Sequence, residues 1–305
     1  MSFVTLQERI NTLQNPTVVG LDPDLQHIPP QILEKHIAEL GENLDAAARA
    51  VIEFNMNLIE ALHDIVPAVK PQAAYYEILG AHGIQALKLT CDYARSKGMY
   101  VIIDAKRGDI GSVAETYSEA YLGTIKVGSA EYAPFNADAL TVNTYLGSDG
   151  IKPFIDTAKK HDKAIFALVK TSNPSSGEIQ DKMVNKPPIH LYQAVGEMLE
   201  DISDDTIDKN GYTCAGAVVG ATYPEELSRL RKKLKHTFFL VPGYGAQGGT
   251  AENVKGAFDE NGNGAIINSS RGIIAAWKKE NAHYADAARK EALSMRDELR
   301  KVLDL

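Results

Sequence analysis

The stretch MYVIIDAKRGDIGS, residues 99–112, is the segment from which the fold of this chain can be inferred. It opens with the apolar run 100–103, which is typical of a parallel strand covered on both faces. Asp104 and Lys106 follow directly. Because side chains alternate along a strand, these two project to the same side. The stretch therefore predicts a carboxylate and an ammonium side by side at the carboxyl end of a buried strand.

Asp109 belongs to the loop after this strand, beyond Gly108, a residue that can bend the chain. Its carboxylate need not share the face of Asp104 and Lys106, and it can reach the same site from a neighbouring subunit. Taken alone, the stretch is also compatible with a solvated loop that carries ordinary ion pairs. The rest of the chain decides between these interpretations.

The composition is typical of a globular enzyme. The chain has 305 residues, of which 44% are hydrophobic and 24% charged, which is enough for a large core. The formal net charge is −8 and the basic residues form no stripe, so we expect no nucleic-acid or membrane binding. Cys91 and Cys214 lie far apart in apolar sequence and indicate buried free thiols in a reducing compartment. Without a leader-like segment or an apolar run of about 18 residues, a soluble, cytoplasmic protein is expected.

Eight short apolar segments alternate with helical patterns along the chain. In order, they are residues 17–21, 68–72, 100–103, 139–143, 164–169, 215–219, 237–241 and 264–268. Eight strands alternating with helices are what a closed (β/α)8 TIM barrel requires. The alternative is an open doubly wound sheet, but no G-x-G-x-x-G follows the first segment, where that fold places its dinucleotide loop.

No linker-like composition divides the chain, so we predict a single barrel domain over residues 1–305. An insertion is expected at about 175–212, after the fifth strand, where the sequence becomes more polar. Helices are predicted between the strands, including one over 112–127, and a helical segment at about 274–302 closes the chain.

Polar side chains follow most of these strands, at the end where barrel enzymes place their active sites. They are Asp22, Lys70, Asp104, Lys106, Asn143, Ser172, Gln247 and Arg271. The lysines and aspartates of the second and third strands, with Asp109, form an alternating series of charges that can be satisfied without a metal. A lysine between two carboxylates keeps its ammonium form, which predicts a proton donor rather than a Schiff-base nucleophile.

The loops after the seventh and eighth strands predict a phosphate site. Gly245, Gly248 and Gly249 would let backbone N–H groups approach an anion, and Arg271 offers a two-pronged cationic donor. A glycine-rich loop alone can equally be a turn, so the arginine is what favours phosphate.

The segment DAKRGDI, residues 104–110, resembles the D-x-K-x-x-D signature of the orotidine 5′-phosphate decarboxylases, in the form of their longer, type 2 subgroup. Asp22, Lys70, the turn 171–174, the loop 242–249 and Arg271 fall in the order that this family requires. The resemblance implies conversion of orotidine 5′-monophosphate to uridine 5′-monophosphate (UMP) and CO₂, the last step of de novo pyrimidine synthesis, with no metal and no cofactor.

The resemblance also implies roles for the matching residues. Lys106 would donate a proton to C6 of the pyrimidine as CO₂ leaves, and Asp104 would lie against the departing carboxylate. Asp22 and Lys70 would hold the ribose hydroxyls, and Ser172 would contact the pyrimidine. The implied catalytic set is Lys70, Asp104, Lys106 and Asp109.

The other implied contacts involve the phosphate and a second subunit. The substrate-binding set is completed by the loop residues Pro242, Gln247, Gly248 and Gly249 and by Arg271, with Gln247 and Arg271 on the phosphate. Asp109 and Ile110 would enter the partner's site in a homodimer. Val113 stands where many members have a threonine, so a polar contact to the ribose across the dimer is not expected.

Two other functions share parts of this pattern. A metal-dependent phosphosugar decarboxylase or aldolase of the same barrel superfamily has a similar third-strand motif but needs a divalent cation. A non-catalytic nucleotide-binding barrel would bind UMP without turning over a substrate.

Overall fold

The computed structural model describes residues 2–245, 248–279 and 282–303, and these form a closed barrel of eight parallel strands surrounded by helices. This confirms the predicted (β/α)8 class. The barrel strands are β1 Thr17–Leu21, β2 Ala68–Pro71, β3 Tyr100–Arg107, β4 Ala139–Val142, β5 Ala164–Lys170, β6 Ala215–Val219, β7 Phe239–Val241 and β8 Ala265–Ser269.

Each barrel strand lies beside its predecessor in the sequence, and β1 closes the ring. Val18 of β1 is in register with Ala68 of β2 on one side and with Asn268 of β8 on the other. Because all the strands are parallel, their carboxyl ends meet at one rim of the barrel.

The core has two layers because the side chains of each strand alternate between the barrel interior and the helices. The interior holds a cluster that includes Val18, Phe166 and Phe238. The amino-terminal helix Ser2–Leu13 covers one end of this interior, where the Phe3 ring stacks on Phe238 with ring centroids 4.8 Å apart. The opposite end, where the strands terminate, is left for the polar residues.

The described α-helices are Ser2–Leu13, Pro30–Leu40, Leu44–Leu62, Ala74–Glu77, Gly80–Ser96, Gly111–Tyr121, Ser148–His161, Gly177–Gln180, Leu191–Asp201, Pro224–Lys233, Ala251–Val254, Arg271–Ile274 and Tyr284–Leu303. The helix Leu44–Leu62 illustrates why they form. Asn43 caps it by accepting a hydrogen bond from the Ala46 amide, and buried residues such as Val51 and Leu58 recur on one face. Among the described residues, no helix combines the length and the apolar character needed to cross a bilayer.

Two predicted helical segments were wrong in extent. The helix predicted over 112–127 ends at Tyr121, and Ile125–Val127 pairs with Ala130–Tyr132 as an exposed antiparallel hairpin. β-Branched residues favour a strand there, and Gly128, with φ of +63°, makes the turn. The segment predicted at 274–302 is divided into Arg271–Ile274, a 3₁₀ turn at Ala276–Lys278, and Tyr284–Leu303.

Other elements were not predicted at all. The helices Pro30–Leu40 and Ala74–Glu77 lie in segments for which no helix was expected. Within residues 175–212, the helix Leu191–Asp201 is one of the helices expected from the sequence and packs on β5, whereas the pairing of Met183–Val184 with Ile189–His190 was not predicted. The division into one barrel domain with an insertion stays a prediction.

Candidate active site

A cleft of about 970 Å³ opens at the carboxyl ends of the barrel strands. Residues predicted from sequence that line it are Asp22, Lys70, Asp104, Lys106, Asn143, Ser172 and Pro242. Further polar residues line it that were not among the predicted site residues, and those nearest the strand ends include Gln72, Thr141, Asn268 and Ser270. Thr141 and Asn268 lie inside apolar strands and Gln72 and Ser270 directly follow them, and no motif distinguished these residues in the sequence.

Asp104 is the centre of the charged part of the cleft. Its Oδ2 lies 2.7 Å from Lys70 Nζ, and its Oδ1 lies 2.6 Å from Lys106 Nζ. The Thr141 hydroxyl donates to Oδ1 at 2.8 Å and the Gln72 amide donates to Oδ2 at 3.0 Å. Both carboxylate oxygens are therefore held, and the orientation of the carboxylate is strongly specified.

Three members of the predicted alternating series, Lys70, Asp104 and Lys106, are adjacent within one chain, with the carboxylate between the two lysines. The second carboxylate expected beside Lys106 was that of Asp109. The Asp109 carboxylate accepts a hydrogen bond from the Ile110 amide at 2.8 Å, and none of the described ion pairs joins it to Lys106. Asp109 lies beyond the strand end, where side-chain alternation no longer applies, so its approach to Lys106 from a neighbouring subunit stays a prediction.

Burial and charge act in opposite directions on this cluster. Burial alone would raise the pKa of Asp104, but the ammonium groups of Lys70 and Lys106 outweigh it and hold that pKa well below its ordinary value. Burial alone would lower the pKa of Lys70, but the carboxylates of Asp104 and Asp22 raise it above its ordinary value. Asp104 and Lys70 therefore both stay charged near neutral pH.

The β3–β4 ladder is irregular at the cluster. Ile103 is in register with Leu140, but the next registered pair is Arg107 with Val142, so β3 contains extra residues. Lys106 lies within them with φ of +48°, a left-handed backbone that is rare for a residue other than glycine. Lys106 and Asp104 therefore meet within an irregular bulge rather than on one face of a regular strand, which is the arrangement that side-chain alternation predicted.

Two buried acceptors at the cleft have no partner within the described part of the chain. They are Asp22 Oδ1, just after β1, and Asn268 Oδ1, in β8. Unsatisfied buried acceptors are costly, so they indicate a ligand that brings hydrogen-bond donors such as hydroxyl groups. Gly20 keeps this region open, because a Cβ there would lie 1.9 Å from Ser270 Oγ.

The glycine-rich loop after β7 uses its amides differently from the prediction. The amides of Gly245, Gly248 and Gly249 donate to the carbonyls of Gly249, Gly245 and Gly243, respectively, within the loop itself. Gly249 is required for close packing, since a Cβ there would lie 2.7 Å from the Gly243 carbonyl oxygen. The expectation that these three amides are free for an anion was therefore wrong for this conformation, in which the loop completes its own turn.

Arg271 begins the short helix after β8, and its side chain is exposed. Partial burial and the carboxylates of Asp22 and Asp24 raise the pKa of Tyr75, while Arg271 acts in the opposite direction. The Arg271 guanidinium and the Asp22 carboxylate thus act in opposite directions on the pKa of the same tyrosine. Gln247 lies outside the described residues.

Ser172 lies on the cleft wall, in the loop after β5, and contacts between residues 170–171 and 180–181 hold the start of this loop. Lys170, buried at the end of β5, forms an ion pair with Asp181 at 2.5 Å. The Thr171 amide donates to Gln180 Oε1 at 2.9 Å. Lys170 was not singled out from the sequence, where it resembles any other lysine at a strand end.

Asp109 and Ile110 lie outside the cleft lining of their own chain. Ile110 is 54% exposed, and Val113, Tyr117, Tyr145 and Leu146, in the segments that follow β3 and β4, are exposed as well. We call these five residues the apolar patch. A Cβ on Gly150 would lie 3.0 Å from Leu146 Cβ and 3.2 Å from the Asp109 carbonyl oxygen. The loops that follow β3 and β4 are therefore adjacent.

The residues at the cluster are poorly suited to a metal ion. Both oxygens of Asp104 already bind ammonium groups, which would repel a divalent cation. Within the described ranges, no group of three or more His, Cys, Asp or Glu side chains could hold a metal. That the chain uses no metal and no cofactor stays a prediction.

A (β/α)8 barrel with a Lys–Asp–Lys cluster facing a cleft of this size defines a class of barrel enzymes that act on small charged ligands. Within that class, the chain belongs to the orotidine 5′-phosphate decarboxylase / HUMPS family, whose model matches residues 18–285.

Named relatives match over almost the whole chain. Orotidine 5′-phosphate decarboxylase from Rhodopirellula baltica is 42% identical over 98% of this chain and 99% of its own length. The enzyme of the same name from Caldicellulosiruptor bescii is 41% identical over 90% of this chain and 89% of its own. Among solved structures, Leishmania donovani OMP decarboxylase has a TM-score of 0.75 and 31% identity, covering 100% of this chain and 99% of that one.

Proposed function

We propose that this chain decarboxylates orotidine 5′-monophosphate to UMP and CO₂, the last step of de novo pyrimidine synthesis, without a metal or a cofactor. The observation that carries this function is the Lys70–Asp104–Lys106 cluster at the rim of the cleft, with both lysines within 2.7 Å of one carboxylate. It occurs in a chain that is 42% identical over nearly its whole length to a named orotidine 5′-phosphate decarboxylase.

Lys106 is the proposed proton donor. When the bond between C6 and the carboxylate breaks, CO₂ leaves and the electron pair stays on C6, where the ring offers no electron sink. The Lys106 ammonium stabilises this charge and transfers a proton from Nζ to C6. Its hydrogen bond to Asp104 holds Nζ in place, and its 45% exposed side chain can reach into the cleft.

Asp104 is the proposed neighbour of the departing carboxylate. Binding energy from the distant phosphate can hold the substrate carboxylate near this anion, which the substrate would otherwise avoid. Since the pKa of Asp104 is held low by Lys70 and Lys106, the residue stays anionic at neutral pH.

Some of the remaining proposed contacts come from residues that line the cleft. Asp22, whose Oδ1 lacks a donor, and Lys70 bind the ribose hydroxyls. Ser172 contacts the pyrimidine, and Pro242 forms part of the wall. For the phosphate, the proposed contacts are Gln247, Gly248 and Gly249 of the loop after β7, with Arg271 as the cationic partner.

Arg271→Ala should raise KM for orotidine 5′-monophosphate by roughly 10- to 100-fold, because one charge-assisted contact to the phosphate is lost. Steady-state kinetics should show kcat changed by no more than a few-fold. Arg49→Ala, an exposed arginine on an outer helix, is the control and should leave both constants unchanged. A normal KM in Arg271→Ala would remove the phosphate role.

We also propose a homodimer in which Asp109 and Ile110 enter the partner's site. The apolar patch supports this, because its five exposed apolar residues flank Asp109 at the carboxyl ends of β3 and β4. In a two-fold dimer, this surface would face the same surface of the second subunit and bring Asp109 towards the partner's Lys106.

Mixing two inactive variants tests the shared site. Lys106→Ala and Asp109→Ala should each be inactive alone, but subunit exchange should recover about a quarter of wild-type activity, since half of the dimers contain one intact site. Mixing Lys106→Ala with Asp104→Ala is the control. Each site takes Lys106 and Asp104 from the same chain, so no mixed dimer has an intact site and no activity should be recovered. No recovery in the first mixture, with a dimer confirmed by sedimentation, would place Asp109 outside the partner's site.

The ultraviolet absorbance of orotidine 5′-monophosphate, followed with and without EDTA, tests the proposed reaction. Turnover that is insensitive to EDTA supports it. Activity lost on chelation would favour a metal-dependent phosphosugar enzyme, and UMP binding with unchanged absorbance would favour a non-catalytic barrel. We place the enzyme in the cytoplasm, in agreement with the buried free thiols of Cys91 and Cys214.

A further inference from the structure

The bulge in β3 leaves the Lys106 backbone without a regular ladder partner. Between the pairs Ile103 with Leu140 and Arg107 with Val142, β3 has three residues where β4 has one, Thr141. A buried or half-buried amide in such a bulge must find another acceptor. The Lys106 amide finds it in a side chain, donating to Thr141 Oγ1 at 2.9 Å.

The same Thr141 hydroxyl donates its proton to Asp104. The Oγ1 to Oδ1 distance is 2.8 Å, and Oδ1 is also the oxygen that receives the Lys106 ammonium at 2.6 Å. One hydroxyl therefore links the backbone of Lys106 to the carboxylate that holds the Lys106 side chain. Thr141 Oγ1 therefore contacts the Lys106 backbone directly and the Lys106 ammonium through Asp104.

Thr141 is well placed to hold that geometry. It is 1% exposed and lies in the middle of the β4 segment Ala139–Val142, between the strands of a closed barrel. Its branched side chain has few accessible rotamers, so the hydroxyl position is set by the strand. The hydroxyl's only proton goes to Asp104, and it accepts from Lys106, so it acts through these residues rather than on a ligand.

We propose that Thr141 is a positioning residue that sets the Lys106 ammonium at the reacting carbon by bridging the Lys106 amide and the Asp104 carboxylate. This inference rests on the proposed decarboxylation for its kinetic consequence. Its structural part, the bridge itself, does not depend on the substrate.

The kinetic test compares Thr141→Val, which keeps the shape and removes the hydroxyl, with Thr141→Ser, which keeps the hydroxyl. Thr141→Val should lower kcat by about 100-fold, as expected for a small displacement of a reacting group, with the Kd for UMP within about twofold of wild type. Thr141→Ser should recover most of the loss. Thr90→Val, at another fully buried threonine whose hydroxyl accepts from Asn55, is the matched control and should not change kcat.

Amide hydrogen exchange tests the bridge without any turnover. In protein labelled with ¹⁵N-lysine, the Lys106 amide should be protected in the wild type and in Thr141→Ser, and should exchange about tenfold faster or more in Thr141→Val. Equal exchange in all three proteins overturns the bridge. An unchanged kcat in Thr141→Val, a parallel loss of UMP affinity, or no recovery in Thr141→Ser overturns the positioning role.

These outcomes separate the two proposals. A wild-type protein that does not turn over orotidine 5′-monophosphate contradicts the proposed function, while the exchange measurement still decides the bridge. An active wild type with unaltered kcat in Thr141→Val contradicts only the role of Thr141. If Thr141→Val does not fold, as judged by circular dichroism, Thr141→Ala takes its place in both measurements.

Discussion

Lys106→Ala should abolish decarboxylation, lowering kcat by about 10⁴-fold or more, because it removes both the proton donor and the positive charge next to C6. The fold should be unaffected. The Lys106 side chain is 45% exposed, so its truncation opens no buried cavity, and Asp104 keeps its bond to Lys70 at 2.7 Å. Affinity for UMP should also persist, since the proposed ribose and phosphate contacts come from other residues.

Single-turnover and steady-state absorbance measurements with orotidine 5′-monophosphate would check this, together with UMP titration and thermal unfolding. Lys152→Ala is the matched control, because Lys152 is an exposed lysine in a surface ion pair with Asp156. It should behave as the wild type. A Lys106→Ala protein that is active would remove the proton-donor role, and one that is unfolded would make the lysine structural.

Asp104→Asn should lose both activity and stability. The substitution leaves Lys70, which is 4% exposed, as a buried ammonium without its carboxylate, at a cost of about 3 kcal/mol in the free energy of unfolding. Lys106 would also lose its anchor, so kcat should fall by roughly 10³-fold. Urea unfolding and absorbance kinetics measure the two effects separately.

The double variant Lys70→Met/Asp104→Asn distinguishes the two causes. Removing the buried cation should recover most of the lost stability but none of the activity. A double variant no more stable than Asp104→Asn would show that the loss does not come from the unpaired ammonium. Recovered activity would show that the cluster is not catalytic.

The Lys70–Asp104 ion pair should also make the free energy of unfolding depend on pH at both ends of the pH range. The folded-state pKa of Asp104 is lowered, so its contribution is fully present above its ordinary value of about 3.9 and is lost as the pH falls below it. The folded-state pKa of Lys70 is raised, so its contribution is present below about 10.4 and is lost as the pH rises above it. Both slopes of the free energy of unfolding should be weaker in the double variant.

Local patterns were sufficient for the order of the eight barrel strands. The apolar run at 100–103 lies in β3, and its seven counterparts agree with the other barrel strands to within two residues at each end, because a buried parallel strand needs a continuous apolar segment. The prediction failed where one segment contains both a helix and a strand. The helical pattern over 112–127 concealed a hairpin, since β-branched residues and Gly128 outweighed a weak periodicity.

The candidate site could be predicted only in part. Asp104 and Lys106 are two residues apart, so the sequence already brought them together, and the structure places their charged atoms 2.6 Å from each other. Thr141 and Gln72 could not be found this way. Each is a single polar residue on a neighbouring strand, and its contact with Asp104 depends on how that strand is aligned with β3.

By itself, the sequence determined the barrel class, the family and the end of the barrel at which the polar residues gather, because these follow from local periodicity and from a short contiguous signature. Only the tertiary structure decided the contacts of Asp104 with Thr141 and Gln72, the bulge at Lys106 and the internal hydrogen bonding of the glycine-rich loop. The physical reason is that register and loop closure arise from contacts between segments distant in the chain, and no local pattern encodes which groups these contacts leave free.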